Sequence, residues 1–250
     1  MKKLLFWWQR KKAEQGNAKA QYKLAECYKK DKDFTQAVVW FRKAAEQGIA
    51  EAQFNLAACY AGGAGVVQDD AIAADWMQKA AKQGLAGAQY LFALACYEGR
   101  GIAKDVKQSV DWLQKAAEQG YTEAQYELGM RYDEGNRGVK KDDEKAIYWL
   151  AKAAAGGNAE AQFCVGKTYR DHKGQMFSPS YQMNQAAYWF RQSAKNGYAE
   201  GQAALAACYM TGFGVPRNIN QSRYWFNKAA EQGHPAAQLM LSMGNRKNQF

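Results

Sequence analysis

Residues 50–84 read AEAQFNLAACYAGGAGVVQDDAIAADWMQKAAKQG, and residues 86–120 read AGAQYLFALACYEGRGIAKDVKQSVDWLQKAAEQG. Both stretches open on Ala-x-Ala-Gln and close on a Trp with a Gly eight positions later. The closing pair recurs as Trp8/Gly16, Trp40/Gly48, Trp76/Gly84, Trp112/Gly120, Trp149/Gly157, Trp189/Gly197 and Trp225/Gly233. The opening tetrad returns at Ala159-Glu160-Ala161-Gln162, with variants at Ala18-Lys19-Ala20-Gln21, Glu123-Ala124-Gln125 and Ala199-Glu200-Gly201-Gln202. Successive closing glycines lie 32, 36, 36, 37, 40 and 36 residues apart, so one unit is repeated along the chain.

Counting from the Gln of each unit, apolar or small residues fall at +3, +4 and +7, as in Leu56, Ala57 and Tyr60 after Gln53. This spacing is one face of a helix, here helix A. In four units a glycine turn with a β-branched residue follows: Gly63-Ala64-Gly65-Val66, Gly99-Arg100-Gly101-Ile102, Gly135-Asn136-Arg137-Gly138-Val139 and Gly212-Phe213-Gly214-Val215. Asp69, Asp105, Asp142 and Asn218 then stand where a second helix, B, needs a side-chain oxygen for its free amides. Helix B carries Ala73, Trp76 and Ala80, or Ala146, Trp149 and Ala153. Its closing Gly, followed by Ile49, Leu85, Tyr121 or Tyr198, reads as a left-handed stop with a hydrophobic contact. A single helix pair cannot bury two such faces, so the units must stack into an α-solenoid of antiparallel helix pairs. Ala or Gly at +4 permits close helix approach, and Trp→Ala inside the array is expected to cost about 3–5 kcal/mol.

Composition agrees with an all-α chain. Of 250 residues, 48% are hydrophobic, enough for a core, and the 3 prolines disfavour short strands punctuated by turns. The net charge is 34 − 24 = +10, but residues 1–48 supply 12 − 5 = +7 of it and the rest only 22 − 19 = +3. A solenoid that binds nucleic acid needs phosphate contacts along its whole length, so no nucleic-acid partner is expected. The apolar run Leu4–Trp8, between Lys2-Lys3 and Arg10-Lys11-Lys12, is too short for a secretion signal or a membrane span. A cytoplasmic protein is expected. Trp8 is in register with the other repeat tryptophans, so the basic start reads as a B-type cap with a solvated face rather than a membrane-surface segment.

The pattern Ala-x-Ala-Gln-x-x-Leu-(Gly/Ala)-x-x-Tyr-x-x-Gly-x-Gly-Val-x-x-Asp, then Trp-x-x-Lys-Ala-Ala-x-Gln-Gly, resembles the Sel-one-like repeat (SLR), a relative of the tetratricopeptide repeat. The expected organisation is one repeat domain over 1–250. It comprises a half-repeat at 4–16, repeats at 17–48, 49–84, 85–120, 121–157, 158–197 and 198–233, and a closing helix and tail at 234–250. Three units depart from the pattern: the first lacks the glycine turn, Cys96 replaces Tyr at +7 in the third, and the fifth carries extra residues between Asp171 and Asn184. The resemblance implies a right-handed superhelix and an adaptor or scaffold that binds proteins or peptides, commonly in bacteria. An inhibitor or immunity-type protein that blocks one cognate enzyme would use the same groove.

Five cysteines, Cys27, Cys59, Cys96, Cys164 and Cys208, fall on A helices. Some family members pair two cysteines per unit, but here helix B offers no second thiol, and neighbouring helices pack wider than a disulfide spans. Buried small hydrophobes in a reducing compartment are the expected reading. No cofactor or metal is expected, since no Cys/His cluster has ligand spacing. His172, eight residues after Cys164, offers the one pairing for a thiol hydrolase, the enzymatic alternative.

Positions +1, +5 and +8 form a second ridge on helix A, which by resemblance to tetratricopeptide arrays lines the concave groove. Its apolar members Phe54, Tyr90, Leu94, Tyr97, Tyr126, Met130 and Phe163 are the candidate partner-binding residues. Stacking between neighbouring A helices is the competing explanation for the +1 aromatics. The fifth-unit insertion, Gly174 to Met183, is expected to form a protruding loop because Pro179 opposes a continuous helix, with Met176, Phe177 and Tyr181 as a second contact surface. The closing helix carries Leu239, Met240, Leu241 and Met243, so that end is expected to be covered by the Gly244–Phe250 tail or by another chain, including a second copy.

Overall fold

A computed structural model describes residues 9–171 and 178–247, with the helical backbone alone for 244–247. After a helical turn at 9–14, the described residues form α1 (Ala18–Lys30), α2 (Phe34–Glu46), α3 (Ala50–Gly62), α4 (Asp70–Lys82), α5 (Ala86–Glu98), α6 (Val106–Glu118), α7 (Thr122–Glu134), α8 (Asp143–Ala155), α9 (Ala159–Asp171), α10 (Pro179–Lys195), α11 (Ala199–Thr211), α12 (Ile219–Glu231) and α13 (Pro235–Lys247). Odd helices are of the A type and even helices of the B type, and no strand occurs among the described residues. Consecutive helices pack in pairs, as an α-solenoid requires. The described residues fall into two compact units, the first reaching Ala124 and including Arg137–Val139, the second comprising Gln125–Asn136 and the residues from Lys140 onward.

The caps follow from residue chemistry. The side chains of Asp69, Asp105, Asp142 and Asn218 accept hydrogen bonds from the amides of Ile72, Gln108, Lys145 and Gln221 at 2.9, 2.9, 3.0 and 3.0 Å. At the B-helix stop, Leu85 N–H donates to Ala80 at 3.3 Å and Gly84 N–H to Ala81 at 3.0 Å, the paired bonds of a left-handed C-terminal cap. Gly84 has φ +93°, a conformation in which a Cβ would crowd its own carbonyl.

The core lies where +3 and +4 point. In the first unit Leu24/Ala25, Leu56/Ala57 and Phe92/Ala93 are fully buried, as are Leu205/Ala206 in the second. On the B helices, however, the deepest side chain is the one after the Trp: Phe41, Leu113 and Phe190 are at most 1% exposed. Trp76, Trp112 and Trp189 are only partly buried, whereas Trp40 and Trp149, each 8% exposed, belong to the core. Lys43, Lys79 and Lys115 lay their ammonium groups over Trp40, Trp76 and Trp112 at 4.3, 4.1 and 4.1 Å from the ring centres. Where Phe41, Leu113 or Phe190 follows the Trp, that neighbour shares the large cavity cost expected of Trp→Ala.

The Gln of Ala-x-Ala-Gln is buried because the backbone needs it. Gln89 Nε2 donates to the carbonyl of Ala81 at 3.2 Å while its Oε1 accepts from Gln119 Nε2 at 2.6 Å, so one amide ties an A helix to the B helices on either side. Gln53 repeats the arrangement with Ala45 and Gln83, and Gln202 with Ala194 and Gln232. Gln89→Ala should cost about 1–3 kcal/mol, read by urea denaturation, since both inter-helix hydrogen bonds of the buried amide are lost. An exposed control such as Gln114→Ala should cost nothing measurable.

The expectation for the fifth-unit insertion needs correcting in part. Residues 172–177, with Met176, Phe177 and His172 among them, lie outside the described residues, but Pro179–Met183 is helical rather than looped. Pro179 occupies the first helical position, where its missing N–H costs nothing and its fixed φ suits the helix, and Ser178 caps it through Tyr181 N–H at 3.3 Å. α10 is consequently 17 residues long where its counterparts have 13.

Candidate functional site

In the first unit the ridge beside the core stripe carries Phe54 on α3 and Tyr90, Leu94 and Tyr97 on α5, all half-buried. In the second unit Tyr126 and Met130 on α7 and Phe163 on α9 have the same exposure. The +1 aromatics stack within the array. Tyr90 lies 5.3 Å from the Tyr121 ring, and Phe163 lies 5.8 Å from Phe190 and 5.6 Å from Tyr198. Phe54 packs against the cluster of Ala57, Met77 and Phe92, and Tyr126 against that of Leu150, Ala153 and Ala161. Burial pushes the Tyr126 hydroxyl up to about 12, helped by Cys164 and Glu160.

Leu94 and Tyr97 are placed differently. Leu94 borders a half-open apolar hollow of about 130 Å³, floored by Ala73, Ala74 and Met77 of α4 and bounded by Leu91 of α5 and Ala61 of α3. Asp70, Glu98 and Arg100 stand at its rim, the last two ion-paired with each other. One helical step on, the Tyr97 ring has Lys104 Nζ at 5.1 Å and Arg137 Cζ at 5.6 Å from its centre. This hollow was not legible in the sequence, because it arises from small side chains on three helices that are far apart in the chain.

The other sequence candidates distribute as follows. Tyr181 is exposed on the first turn of α10. Leu239 and Met243 on α13 are 54% and 51% exposed, and the tail side chains from Gly244 lie outside the described residues. All five cysteines are free thiols. Burial raises Cys164, with Lys167 opposing and Asp133 adding, and burial brings Cys96 and Cys208 to about 11. A thiol held above its ordinary value stays protonated at neutral pH and is a poor nucleophile. Native protein at pH 7.5 should accordingly show little alkylation at Cys96, Cys164 or Cys208 by iodoacetamide within an hour, with full labelling in urea, as read by peptide mass spectrometry. Rapid native labelling at Cys164 would restore the hydrolase reading.

Among the described residues, no His/Cys/Asp/Glu group could hold a metal, and no helix is long and apolar enough to cross a membrane. The tyrosines that precede the Trp on the B helices of the second unit are half-exposed. Tyr148, Tyr188 and Tyr224 each stand edge-on to the following Trp at 4.9, 5.2 and 5.0 Å. The Tyr-Trp dipeptide is the signal for them.

Comparison with known proteins bears on this architecture. A family model described as the Sel1 repeat matches residues 18–49, 50–85, 86–121, 122–158, 159–198 and 199–234. Among solved structures, the chain is similar to c5321, a protective antigen of uropathogenic Escherichia coli strains displaying an SLR fold, with 40% identity over 94% of this chain and a TM-score of 0.84. It is also similar to a Sel1 repeat protein from Oxalobacter formigenes, with 32% identity over 94% of this chain and a TM-score of 0.83. It spans 50% of the first structure's length and 68% of the second's. The immunity protein Pa5087 from Pseudomonas aeruginosa, at 21% identity and a TM-score of 0.51 over 86% of this chain and 81% of its own, shares the fold. No curated protein matches the sequence. No enzymatic family is indicated by these similarities.

Proposed function

The chain belongs to the Sel1 repeat family, and from that premise we propose that it is a non-enzymatic scaffold that binds a partner protein or peptide on the A-helix ridges. The observation that carries this reading is on α5. Phe92, Ala93 and Cys96 complete its core face at 0% exposure, yet Leu94 and Tyr97 beside them remain half-exposed and apolar. Stacking does not require apolar side chains at those positions, since the same places in the second unit hold Lys167 and Arg170 on α9. Met130 repeats the feature on α7, while Phe54, Tyr90, Tyr126 and Phe163 flank it as aromatics shared with stacking. Five free thiols fit a reducing, cytoplasmic setting.

Binding energy on such a ridge concentrates in a few apolar side chains. Partner capture by the full chain, followed by mass spectrometry, identifies what is bound. Leu94→Glu combined with Met130→Glu should then lower retention of that partner by about tenfold or more, with helicity and melting temperature nearly unchanged. Full retention would remove the ridge from the interface, and unfolding would show it to be stacking surface. A captured enzyme that loses activity on binding would make the scaffold an inhibitor.

A further inference from the structure

Two positions before the Gln that opens each repeat, in the first turn of helix A, stand Glu51, Glu123, Glu160 and Glu200 in four repeats and Lys19 in another. An acid suits that place, because the first turn of a helix favours negative charge. In α5 the residue is Gly87. Glycine weakens a helix relative to every residue but proline, and packing does not call for it here. A Cβ on Gly87 would lie 3.7 Å from Tyr121 Cε2 and 3.8 Å from Phe54 Cε2, ordinary van der Waals contact. The missing side chain leaves a notch flanked by the rings of Phe54 and Tyr121, the latter packed against Tyr90 at 5.3 Å between ring centres. Where a glutamate is present it meets the +1 tyrosine of the preceding A helix: burial, Glu26 and Glu51 raise the Tyr22 hydroxyl, and burial, Cys164 and Glu160 raise that of Tyr126. Opposite Gly87 the +1 residue is Phe54, which has no hydroxyl, so this wall of the notch is apolar.

The charge beside the notch is negative. Glu51 stands one turn before Phe54 on α3, and burial raises the Tyr121 hydroxyl with Glu123 adding to the effect, which places that carboxylate near the ring. Both glutamates are exposed, and among the described residues neither has an ion-pair partner. An anionic group would be repelled here, and a purely aliphatic one would leave the carboxylates unanswered. A lysine or arginine side chain matches both features, since its methylene stem packs on apolar surface while its charged head reaches past that surface to a carboxylate. A cation within about 6 Å of an aromatic ring is further attracted to it.

We propose that the first unit carries a seat for a basic side chain of the partner: the stem of a lysine or arginine enters the notch at Gly87 between Phe54 and Tyr121, and its charge is met by Glu51 and Glu123. The proposal rests on the scaffold reading above and gives the partner segment a chemistry. Gly87 is then a specificity position, because a side chain there occupies the space that the partner needs.

The test is an NMR titration of the full chain, its aromatic rings isotope-labelled, with the synthetic peptide acetyl-Gly-Ser-Arg-Ser-Gly-amide. Saturable shifts at the Phe54 and Tyr121 rings are expected, with a dissociation constant on the order of 1–10 mM, as one anchoring side chain supplies. A peptide with Glu in place of Arg should give no shifts, and one with norleucine, which keeps the stem and loses the charge, should bind about threefold more weakly or worse. Gly87→Gln, neutral and of the size that the other repeats accommodate, should remove the ring shifts while leaving the melting temperature unchanged or higher. Glu51→Gln with Glu123→Gln should weaken the Arg peptide about threefold or more and leave the norleucine peptide unaffected. Equal binding of the Arg, norleucine and Glu peptides, ring shifts that survive Gly87→Gln, or no shifts at peptide concentrations well above that constant would overturn the proposal. Unfolding of Gly87→Gln would overturn it too, by showing that packing requires the glycine. If the captured partner is lost with Leu94→Glu and Met130→Glu but retained by Gly87→Gln and by the paired Glu→Gln variant, the seat falls and the scaffold reading stands. If the partner is retained by the Leu94→Glu and Met130→Glu variant, the scaffold reading itself falls.

Discussion

Gly101→Ala is expected to destabilise the first unit by about 3–4 kcal/mol, whereas Gly84→Ala should cost only about 1–2 kcal/mol. Both glycines adopt positive φ, +68° and +93°, so the conformational penalty for a Cβ applies to each. They differ in surroundings. A Cβ on Gly84 meets nothing within 4 Å, but one on Gly101 would sit 1.8 Å from the carbonyl oxygen of Asp70, the first residue of α4. Backbone cannot rotate away as a side chain can, so the glycine turn would have to lift off the preceding B helix and separate two repeats. Gly65 makes the same approach to Phe34, and Gly214 to the carbonyl of Met183. For a chain of this size the larger cost corresponds to a fall of about 10 °C in melting temperature. Circular dichroism melts of the two variants check it, and equal shifts would show that the close approach relaxes at little cost.

In the second unit, Phe190→Ala is expected to cost about 3–5 kcal/mol and Trp189→Ala about half as much, although Trp is the larger residue. Phe190 is 1% exposed, touches the ring of Phe163, and lies against Gly166, where a Cβ would come within 2.7 Å of the Phe ring. It also borders a hollow of about 220 Å³ beside Ala204 and Ala207. Removing the ring would enlarge an existing void at the meeting of α9, α10 and α11, which small neighbours cannot close. Trp189 is only partly buried, so part of its surface is already hydrated in the folded state and its removal leaves a smaller enclosed void. Chemical denaturation of the two variants decides the order, and a larger loss for Trp189→Ala would return the tryptophan to the role the sequence assigned it.

The repeat was legible because its determinants are local. Trp and Gly eight apart, Asp or Asn before an apolar-periodic run, and Gly before an apolar residue each specify an event within one or two helical turns. The helix pairs, their caps and the +3, +4 core stripe follow from these signals, and the structure places Asp69, Leu56 and Gly84 accordingly. Pro179 was misread for the same local reason. Its neighbours marked a break, but a proline opens a helix as readily as it interrupts one.

What residues do across repeats was not legible, since it depends on which side chains approach over separations of 30 residues or more. The sequence alone determined an all-α array of Sel1-type repeats, a structural role for the cysteines and a ridge of candidate contact residues. The tertiary structure decided that the +1 aromatics Tyr90 and Phe163 are partly spent on stacking, and that Phe41, Leu113 and Phe190, the residues after their Trp, lie deepest on their B helices. It decided also that Ala61, Ala74 and Leu91 leave a hollow beside Leu94, where Lys29 and Asn55 are hydrogen-bonded one repeat earlier. Helix formation and capping are settled by backbone hydrogen bonding within a few residues, whereas cavities and surfaces are settled by side-chain volumes from separate helices, which add up only once the helices have packed.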